Sequence, residues 1–258
     1  MNQHISLLLL TKNEQSNLLK NFGWLDKCPN IDEVIIVDDY SIDNTHIVAK
    51  KLKNNNSNIV IKKRKLDNDF SAQRTYGINQ AKNDWILWLD ADEVPSLELI
   101  KFLTNFTPDN IKAYSFVRQN IFWEKLLKHG ESQQSLTRFF NKTCGHFSGK
   151  VHETWIISSP IKKTSLIFTH QPNQNITSFL QKINFYTSIR ANELYKQNLN
   201  CSLFQIITYP LAKFFSNYII KLGFLDGIQG IIVSLLMSFH SFLVRAKLWQ
   251  LSQKSSSI

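Results

Sequence analysis

The feature that most constrains the fold is a short apolar run near the start of the chain, at residues 5–10, with sequence ISLLLL. Such a run is typical of a strand buried on both faces, and it has no basic lead of the kind found in a secretory signal. Similar runs at 34–37 and 85–89 end in acidic residues. Segments with helical spacing separate the runs, and this alternation predicts a parallel sheet that binds ligands at the carboxyl ends of its strands.

The remaining expected elements follow the same reading of periodicity and caps. Helices are expected at 14–25, 44–52 (capped by Asp43), 71–81, 96–103 (capped by Ser96), 176–197, 204–222 and 228–249, and further strands at 59–61, 114–118, 136–140, 151–157 and 166–169. The fold class is therefore α/β, with a mixed sheet and a helical C-terminal extension. We expect a nucleotide-binding half at 1–110, an acceptor-binding half at 111–200 and membrane-associating helices at 201–258.

Charge and cysteine usage indicate the kind of surface that the protein binds and its redox compartment. The net charge is +10, and residues 176–258 hold eight Lys/Arg against two acids. A basic, apolar C-terminal third predicts an anionic surface, either phospholipid or nucleic acid. Cys28, Cys144 and Cys201 lie far apart without a CxxC spacing, so disulfides and structural zinc are not expected and a reducing compartment fits.

Paired acids end two of the expected strands: Asp38-Asp39 and Asp90-Ala91-Asp92. Strand ends hold side chains rigidly at the ligand crevice. Two carboxylates at positions i and i+2 can reach one hard divalent cation, Mg²⁺ or Mn²⁺, which would bridge diphosphate oxygens. The alternative is that Asp39 and Asp92 cap the helices that follow them.

The segments LLLLTKNE, VIIVDDYSIDNT and DWILWLDADE, in this order, resemble family 2 glycosyltransferases, which have the GT-A fold. The later segment LTRFFNKTCGHFSGKVHETW resembles the branch that adds glucose to heptose in the lipopolysaccharide inner core. The resemblance covers residues 5–249.

By matching positions, the resemblance implies roles on the donor side. Asp38 would bind the nucleobase, and Thr11 and Glu14 would line the nucleotide pocket. Asp90 and Asp92 would face the ribose and the metal ion, with Asp92 the better ligand.

Arg74 matches the pyrophosphate side, where a guanidinium can bind phosphate through two hydrogen bonds. The alternative is a solvated helix face. The family usually has Asn after this residue, whereas this chain has Thr75, which leaves the local contact open.

An inverting transferase needs a general base on the far side of the sugar from the diphosphate. The resemblance assigns this role to Glu153, whose alternative is a surface glutamate on a strand edge; Asp92 and Glu93 belong to the donor side. His152 and His170 are further polar candidates, either structural or near the acceptor or diphosphate, and neither is expected to bind the metal ion. Arg138 would face an acidic acceptor, or else be a surface or salt-bridged arginine.

The stretch 227–244 has no formal charge. Ser234, Ser238, Ser241 and the following Arg245 form one helical stripe, with apolar residues on the opposite faces. This pattern favours amphipathic helices in the membrane interface, with Lys213, Lys221, Arg245 and Lys247 meeting anionic headgroups. The alternatives are a core helix pair or a membrane span.

Taken together, the expected function is an inverting transfer of a hexose, with glucose as the first candidate, from a nucleotide sugar such as a UDP-sugar. The acceptor would be a lipid-linked envelope glycan at the cytoplasmic face of the membrane, where the protein is expected to attach peripherally. A nucleic-acid-binding protein is disfavoured because no nucleic-acid motif accompanies the basic charge. A nucleotidyltransferase is disfavoured because TKNEQSN, after the first strand, has no glycine.

Overall fold

The computed structural model describes residues 3–52, 58–131, 133–149, 154–171 and 176–255. The chain divides into two compact units. The first unit contains residues Met1–Gln119 and Gln134–Gln171, and the second contains Asn120–Gln133 and Pro172–Ile258.

The strands are β1 (Ile5–Thr11), β2 (Ile31–Asp38), β3 (Asn58–Lys63), β4 (Trp85–Asp90), β5 (Glu93–Pro95), β6 (Ala113–Phe122), β7 (Lys125–Leu126), β8 (Gln133–Asn141), β9 (Gly145–Ser148), β10 (Thr154–Ile157) and β11 (Ile161–His170). The α-helices are α1 (Gln15–Asn21), α2 (Thr45–Ala49), α3 (Phe70–Ile78), α4 (Leu97–Thr104), α5 (Ile176–Lys196), α6 (Leu203–Phe215) and α7 (Ile228–Ser255).

The first unit is built on a mixed sheet. Its parallel part has the order β3-β2-β1-β4, as the strand–helix alternation predicts. The register places Thr11 beside Asp38 and Leu10 beside Asp90. The carboxyl ends of β1, β2 and β4 therefore lie at the same edge, and the α/β fold class is confirmed.

Two helices of the first unit begin at side-chain caps, of which Ser96 is the predicted one, whereas the helix expected at 44–52 with Asp43 as its cap is the shorter α2, with Asn44 as its N-cap residue. Asp69 accepts a hydrogen bond from the Ala72 amide at the start of α3, and Ser96 accepts one from the Leu99 amide at the start of α4. The expected helix at 14–25 is shorter, because α1 ends at Asn21 and a 3₁₀ helix, Gly23–Lys27, follows it. Glycine weakens an α-helix, which accounts for the break.

Antiparallel strands extend the sheet beyond β4 in the order β8-β6-β11-β5. Pairing of β5 with β11 sets His170 opposite Glu93. The strand expected at 151–157 is described only from Thr154 onward. Strands β8, β6 and β11 join the same sheet as β1–β4, so the sheet contains strands from both sides of residue 110.

The second unit is mainly helical. Here α7 packs against both α5 and α6. A π-helical turn, Ser216–Ile220, and a 3₁₀ helix, Gly223–Asp226, connect α6 to α7. The start of α7 and this 3₁₀ helix lie so close together that a Cβ on Gly230 would lie 1.9 Å from the Gly223 carbonyl oxygen.

Two expectations for the C-terminal helices are corrected. Ser234 is only 2% exposed, and Ser238 Oγ donates to the Pro210 carbonyl of α6 at 2.8 Å, so these serines face the neighbouring helix instead of water. Hydroxyls satisfied in this way allow a close helix approach. Lys213 and Lys221 do not point to a headgroup surface either, because both pair with Glu131.

Candidate active site

The first part of the site lies where β1 and β2 end. Asp38 is buried, and its carboxylate accepts hydrogen bonds from Thr11 Oγ1 at 3.0 Å, the Ser41 amide at 2.9 Å and Ser41 Oγ at 2.5 Å. A carboxylate has about four lone-pair positions, so one remains for a ligand. The sequence indicated Asp38 and Thr11 but not Ser41.

Next to Asp38, the backbone takes an unusual turn. Tyr40 has φ of 52° and an exposed ring. Asp39 accepts from Lys12 Nζ at 2.7 Å and from the Leu66 amide at 3.0 Å. Asp39 therefore fixes two loops and does not cap a helix.

Glu14 lies at the N-terminus of α1. Its amide donates to Thr45 Oγ1 at 2.8 Å, and its carboxylate accepts from Asn17 at 2.6 Å. Asp43 in turn accepts from both the amide and the hydroxyl of Thr45. The loop after β1 is thereby tied to the loop after β2, which is the place where the resemblance puts the nucleotide pocket.

Arg74 projects from α3 toward the end of β4. It is buried, and its guanidinium bonds Asp90 Oδ1 at 3.0 Å while lying 3.7 Å from the centre of the Trp88 ring. The alternative of a solvated helix face is therefore wrong. The structure brings Arg74 and Asp90 together.

Arg138, from β8, reaches the same carboxylate from within the protein. It is 1% exposed, bonds Glu93 Oε1 at 2.6 Å and Asp90 Oδ2 at 3.4 Å, and lies 3.4 Å from the Trp88 ring centre. Direct contact with an acceptor is not compatible with this burial. The alternative of a salt-bridged arginine is the one that the structure supports.

These arginines control the charge of Asp90, whose side chain is 36% exposed. Burial acts to raise its pKa, but Coulombic attraction by Arg74 and Arg138 outweighs burial and holds the pKa of Asp90 well below its ordinary value. Asp90 is therefore a carboxylate at neutral pH and can accept hydrogen bonds from a ligand.

Glu93 is the residue whose importance the sequence did not reveal. It is fully buried, receives the Asp90 amide at 2.9 Å, and lies between Arg138 and Arg118, the latter at 3.9 Å. Burial raises the pKa of Glu93, and the neighbouring Arg138 charge opposes that rise. Glu93 holds the turn after β4 in shape; the only available sequence signal was a third acid directly after the Asp90–Asp92 pair.

Asp92 and His170 form the outer part of the site. Asp92 Oδ2 lies 3.2 Å from His170 Nε2, and the Asp92 carbonyl accepts from the Gln171 amide. Helix α4 is capped by Ser96, so Asp92 is not its cap. Two ligand atoms on one Mg²⁺ or Mn²⁺ ion lie about 3 Å apart, because each bond is about 2.1 Å and adjacent bonds meet near right angles.

The spacing of Asp92 and His170 therefore fits a shared cation. Among the residues that the structure describes, no group of three or more His, Cys, Asp or Glu residues has metal-binding geometry. Water and phosphate oxygens would have to complete the coordination.

Glu153 and His152 lie outside the described residues. The described chain ends at Gly149 and resumes at Thr154: Ser148 pairs with Thr154 across β9 and β10, and Ser71 Oγ donates to the Gly149 carbonyl. Ser71 belongs to α3, the helix that also holds Arg74.

Comparison with known proteins decides the family. The model of glycosyl transferase family 2 matches residues 6–169, more than half of the chain. The chain belongs to glycosyl transferase family 2. The carboxylate-rich edge described above lies entirely within the matched region.

Relatives and solved structures agree with this membership. An uncharacterized glycosyltransferase of Rickettsia bellii is 30% identical, and the match covers 98% of this chain and 88% of the relative. One of Rickettsia prowazekii is 28% identical, and the match covers 98% of this chain and 89% of the relative.

In fold, the mannosyltransferase PcManGT of Pyrobaculum calidifontis, solved with GDP-Man and Mn²⁺, matches with TM-score 0.58 at 11% identity, covering 97% of this chain and 88% of that one. TarS 1–349 of S. aureus matches with TM-score 0.50 at 14% identity, covering 98% and 92%. The GT-A fold of this family 2 enzyme is thereby confirmed.

Proposed function

We propose that this glycosyltransferase transfers a hexose, with glucose as the first candidate, from a UDP-linked sugar to a lipid-linked envelope glycan, with inversion at the anomeric carbon. The observation that carries the proposal is the edge formed by Thr11, Asp38, Asp90 and Asp92 within the family 2 region. These groups are acceptors suited to a nucleoside, next to an arginine suited to phosphate.

On the donor side, the remaining lone pair of Asp38 would accept an N–H of the base, and Asp90 would accept ribose hydroxyls. Arg74 bonds Asp90 and would place a positive charge on the diphosphate side of the site. The loops of Thr11 and Glu14 would enclose the nucleotide. Because Asp90 is ionised by its arginine neighbours, this binding needs no proton exchange near neutral pH.

A divalent cation would be held by Asp92 and His170. When bound, it would neutralise the diphosphate that leaves. An imidazole ligand favours Mn²⁺ over the harder Mg²⁺, which prefers oxygen. PcManGT, solved with Mn²⁺, has the same fold, in keeping with this choice.

Glu153 is proposed as the general base. It would take the proton of the acceptor hydroxyl as the new oxygen–carbon bond forms and the bond from the anomeric carbon to the diphosphate breaks. Such a base contributes about 10²- to 10⁴-fold in rate. His152 is a candidate for acceptor or diphosphate contact in the same segment.

For the acceptor, the lipopolysaccharide core is the first candidate, because of the resemblance of residues 136–155; another envelope or capsule glycan is the alternative. Helices α6 and α7 would attach the enzyme peripherally at the cytoplasmic face of the membrane. The stretch Ile228–Gln253 also has the length of a membrane crossing, and an 18-residue window within it has a mean hydropathy of 1.5 with 17% of the window buried.

The test is to measure sugar transfer and donor binding in three variants. Asp92→Ala is expected to abolish transfer and to weaken cation-dependent donor binding. Glu153→Gln is expected to lower kcat by about 10²-fold or more while donor binding is retained. Glu98→Gln, the same change at an exposed position of α4, serves as the control and should be fully active. Full activity of Glu153→Gln would remove the base assignment.

A further inference from the structure

Helix α6 exposes one apolar side. Large apolar residues recur there at helical spacing, and Phe204 is 75% exposed. The exposed residues of this stripe are Leu203, Phe204, Ile207, Leu211 and Phe215. Lys213 lies on the opposite side of the helix, because it is about 140° around the axis from the centre of the stripe at 100° per residue.

Helix α7 repeats the pattern. Its exposed apolar residues recur every three or four positions, with Ile228 74% and Leu235 53% exposed. They are Ile228, Ile231, Leu235, Phe239 and Phe242. Exposed apolar residues such as Ile220 and Leu225 continue through the connection between the helices. We call the two stripes and this connection the apolar face.

The size of the apolar face is unusual for a surface in water. Its side chains expose on the order of 1,000 Å², whereas the largest patch on a soluble monomer is about 300–600 Å². It is also more apolar than most protein–protein interfaces, which are only about 57% non-polar overall. These properties favour lipid over a second copy of the chain as the occupant.

The formal charges near this face are neutralised inside the unit. Residues 203–244 contain only Lys213, Lys221 and Asp226. Glu131 binds Lys213 Nζ at 2.6 Å and Lys221 Nζ at 3.1 Å. A surface that attracts anionic headgroups needs available lysines, but here one carboxylate engages both.

Asp226 is satisfied in a similar way by the loop of Glu131. Its carboxylate accepts from the His129 amide at 2.8 Å, the Lys128 amide at 3.2 Å and His129 Nδ1 at 3.1 Å. The Gly130 amide bonds the Lys221 carbonyl at 2.8 Å. The loop at 128–131 thus fixes the connection between α6 and α7 and removes its charges from the apolar face.

The length of the face indicates how it would meet a bilayer. The exposed stripe from Ile228 to Phe242 covers 15 residues, or about 22 Å at 1.5 Å per residue, which is shorter than a hydrocarbon core of about 30 Å, although the stretch Ile228–Gln253 that contains it is longer. Helices of this kind lie in the plane of the interface.

We propose that the apolar face of α6 and α7 docks on a phospholipid bilayer by hydrophobic insertion in the plane of the interface, without requiring anionic lipid. Glu131 is the residue that keeps Lys213 and Lys221 from acting as a headgroup site. This rests on the proposed function only in that a lipid-linked acceptor gives the docking a purpose.

The test is flotation of the full chain with vesicles of pure phosphatidylcholine, and with vesicles of equal parts phosphatidylcholine and phosphatidylglycerol. Each is measured at low salt and at about 1 M salt, where the Debye length is about 3 Å. We expect similar binding to both vesicles, with less than about a twofold change between the salt conditions. Binding to the anionic vesicles alone, lost at high salt, would overturn the proposal.

Variants locate the surface. Phe204→Glu and Leu235→Glu change exposed residues of the apolar face and should lower vesicle affinity about tenfold or more. Gln181→Glu adds the same charge at an exposed position of α5 and should float as the unchanged protein does. Glu131→Gln should make binding prefer anionic vesicles, by about fivefold for each lysine released, and sensitive to salt.

Two further outcomes are decisive. If Leu235→Glu converts a dimer to a monomer and the unchanged protein ignores vesicles, the face binds a second copy and the lipid proposal fails. Donor binding is measured on the same samples by thermal shift. If the unchanged protein does not bind vesicles but still binds donor, this inference and the peripheral attachment through α6 and α7 fail while the transferase proposal stands. If it binds vesicles but no nucleotide sugar, the donor part of the proposed function fails.

Discussion

The substitution Arg138→Met tests whether the buried ion pair under the site holds it together. Arg138 Nη2 lies 2.6 Å from Glu93 Oε1, and both residues are buried. Without the guanidinium, Glu93 keeps Arg118 at 3.9 Å and the Asp90 amide at 2.9 Å. Removing one partner of a buried pair costs about 3–5 kcal/mol, because the other charge stays buried.

In a chain of this size, that loss corresponds to a fall in Tm of roughly 10 °C. The assay is urea unfolding followed by tryptophan fluorescence, since four of the six tryptophans lie in the first unit. Methionine is unbranched and should still pack against the rings of Trp88 and Phe168.

A double-mutant cycle separates the ion pair from packing. Arg138→Met combined with Glu93→Gln removes both charges, so the double variant should be destabilised by about 2 kcal/mol less than the sum of the two single variants. A loss below about 1 kcal/mol for Arg138→Met, as at a surface position, or strict additivity in the cycle, would refute the reasoning.

Three further predictions follow from other sites. His170→Ala should lower the apparent affinity for Mn²⁺ in donor binding by about tenfold or more, as measured by calorimetry at a series of Mn²⁺ concentrations. An unchanged Mn²⁺ affinity would remove His170 as a ligand. Tyr40→Gly should raise the free energy of unfolding by about 1 kcal/mol, because glycine adopts a φ of 52° without strain, and a lower stability in urea would contradict this.

Asp226→Asn should destabilise the second unit by about 1–3 kcal/mol. Burial acts to raise the pKa of Asp226, but the hydrogen bonds from His129 and Lys128 outweigh it and hold the pKa below its ordinary value. Its contribution is therefore present above the unfolded pKa of about 3.9 and is lost as pH falls through the folded pKa. The variant should lose this acid dependence in urea titrations, and an unaltered pH profile would count against the role of Asp226.

The sequence was sufficient for the parallel half of the fold because each signal there is local. Buried apolar runs defined β1, β2 and β4, and Asp38, Asp90 and Asp92 follow them directly, so the shared edge was predictable from strand direction alone. Ser96 identified the start of α4 by its capping chemistry.

The network under the site was not predictable, because it depends on contacts across the sheet. Arg138 is 48 residues from Asp90, and only the antiparallel pairing of β8 with β4 brings them together. Glu93 likewise shows its role through its bond to Arg138, 45 residues away, whereas Ser41 bonds Asp38 only three residues before it, in a turn that no sequence signal indicated.

The prediction that the serine stripe of α7 faces water was wrong for a similar reason. Periodicity identifies a face, but whether Ser234 and Ser238 meet water or another helix depends on the close packing at Gly223 and Gly230. A serine hydroxyl can bond either water or the carbonyl of another helix, so the sequence alone does not distinguish the two.

The central claim is tested most directly by a thermal-shift panel of nucleotide sugars, with and without Mn²⁺. We expect UDP-hexoses to raise the Tm, with a larger rise when Mn²⁺ is present, and the rise to be lost in Asp90→Asn. No response to any nucleotide sugar, with or without the cation, would contradict the assignment of the Asp38–Asp90–Asp92 edge as a donor site.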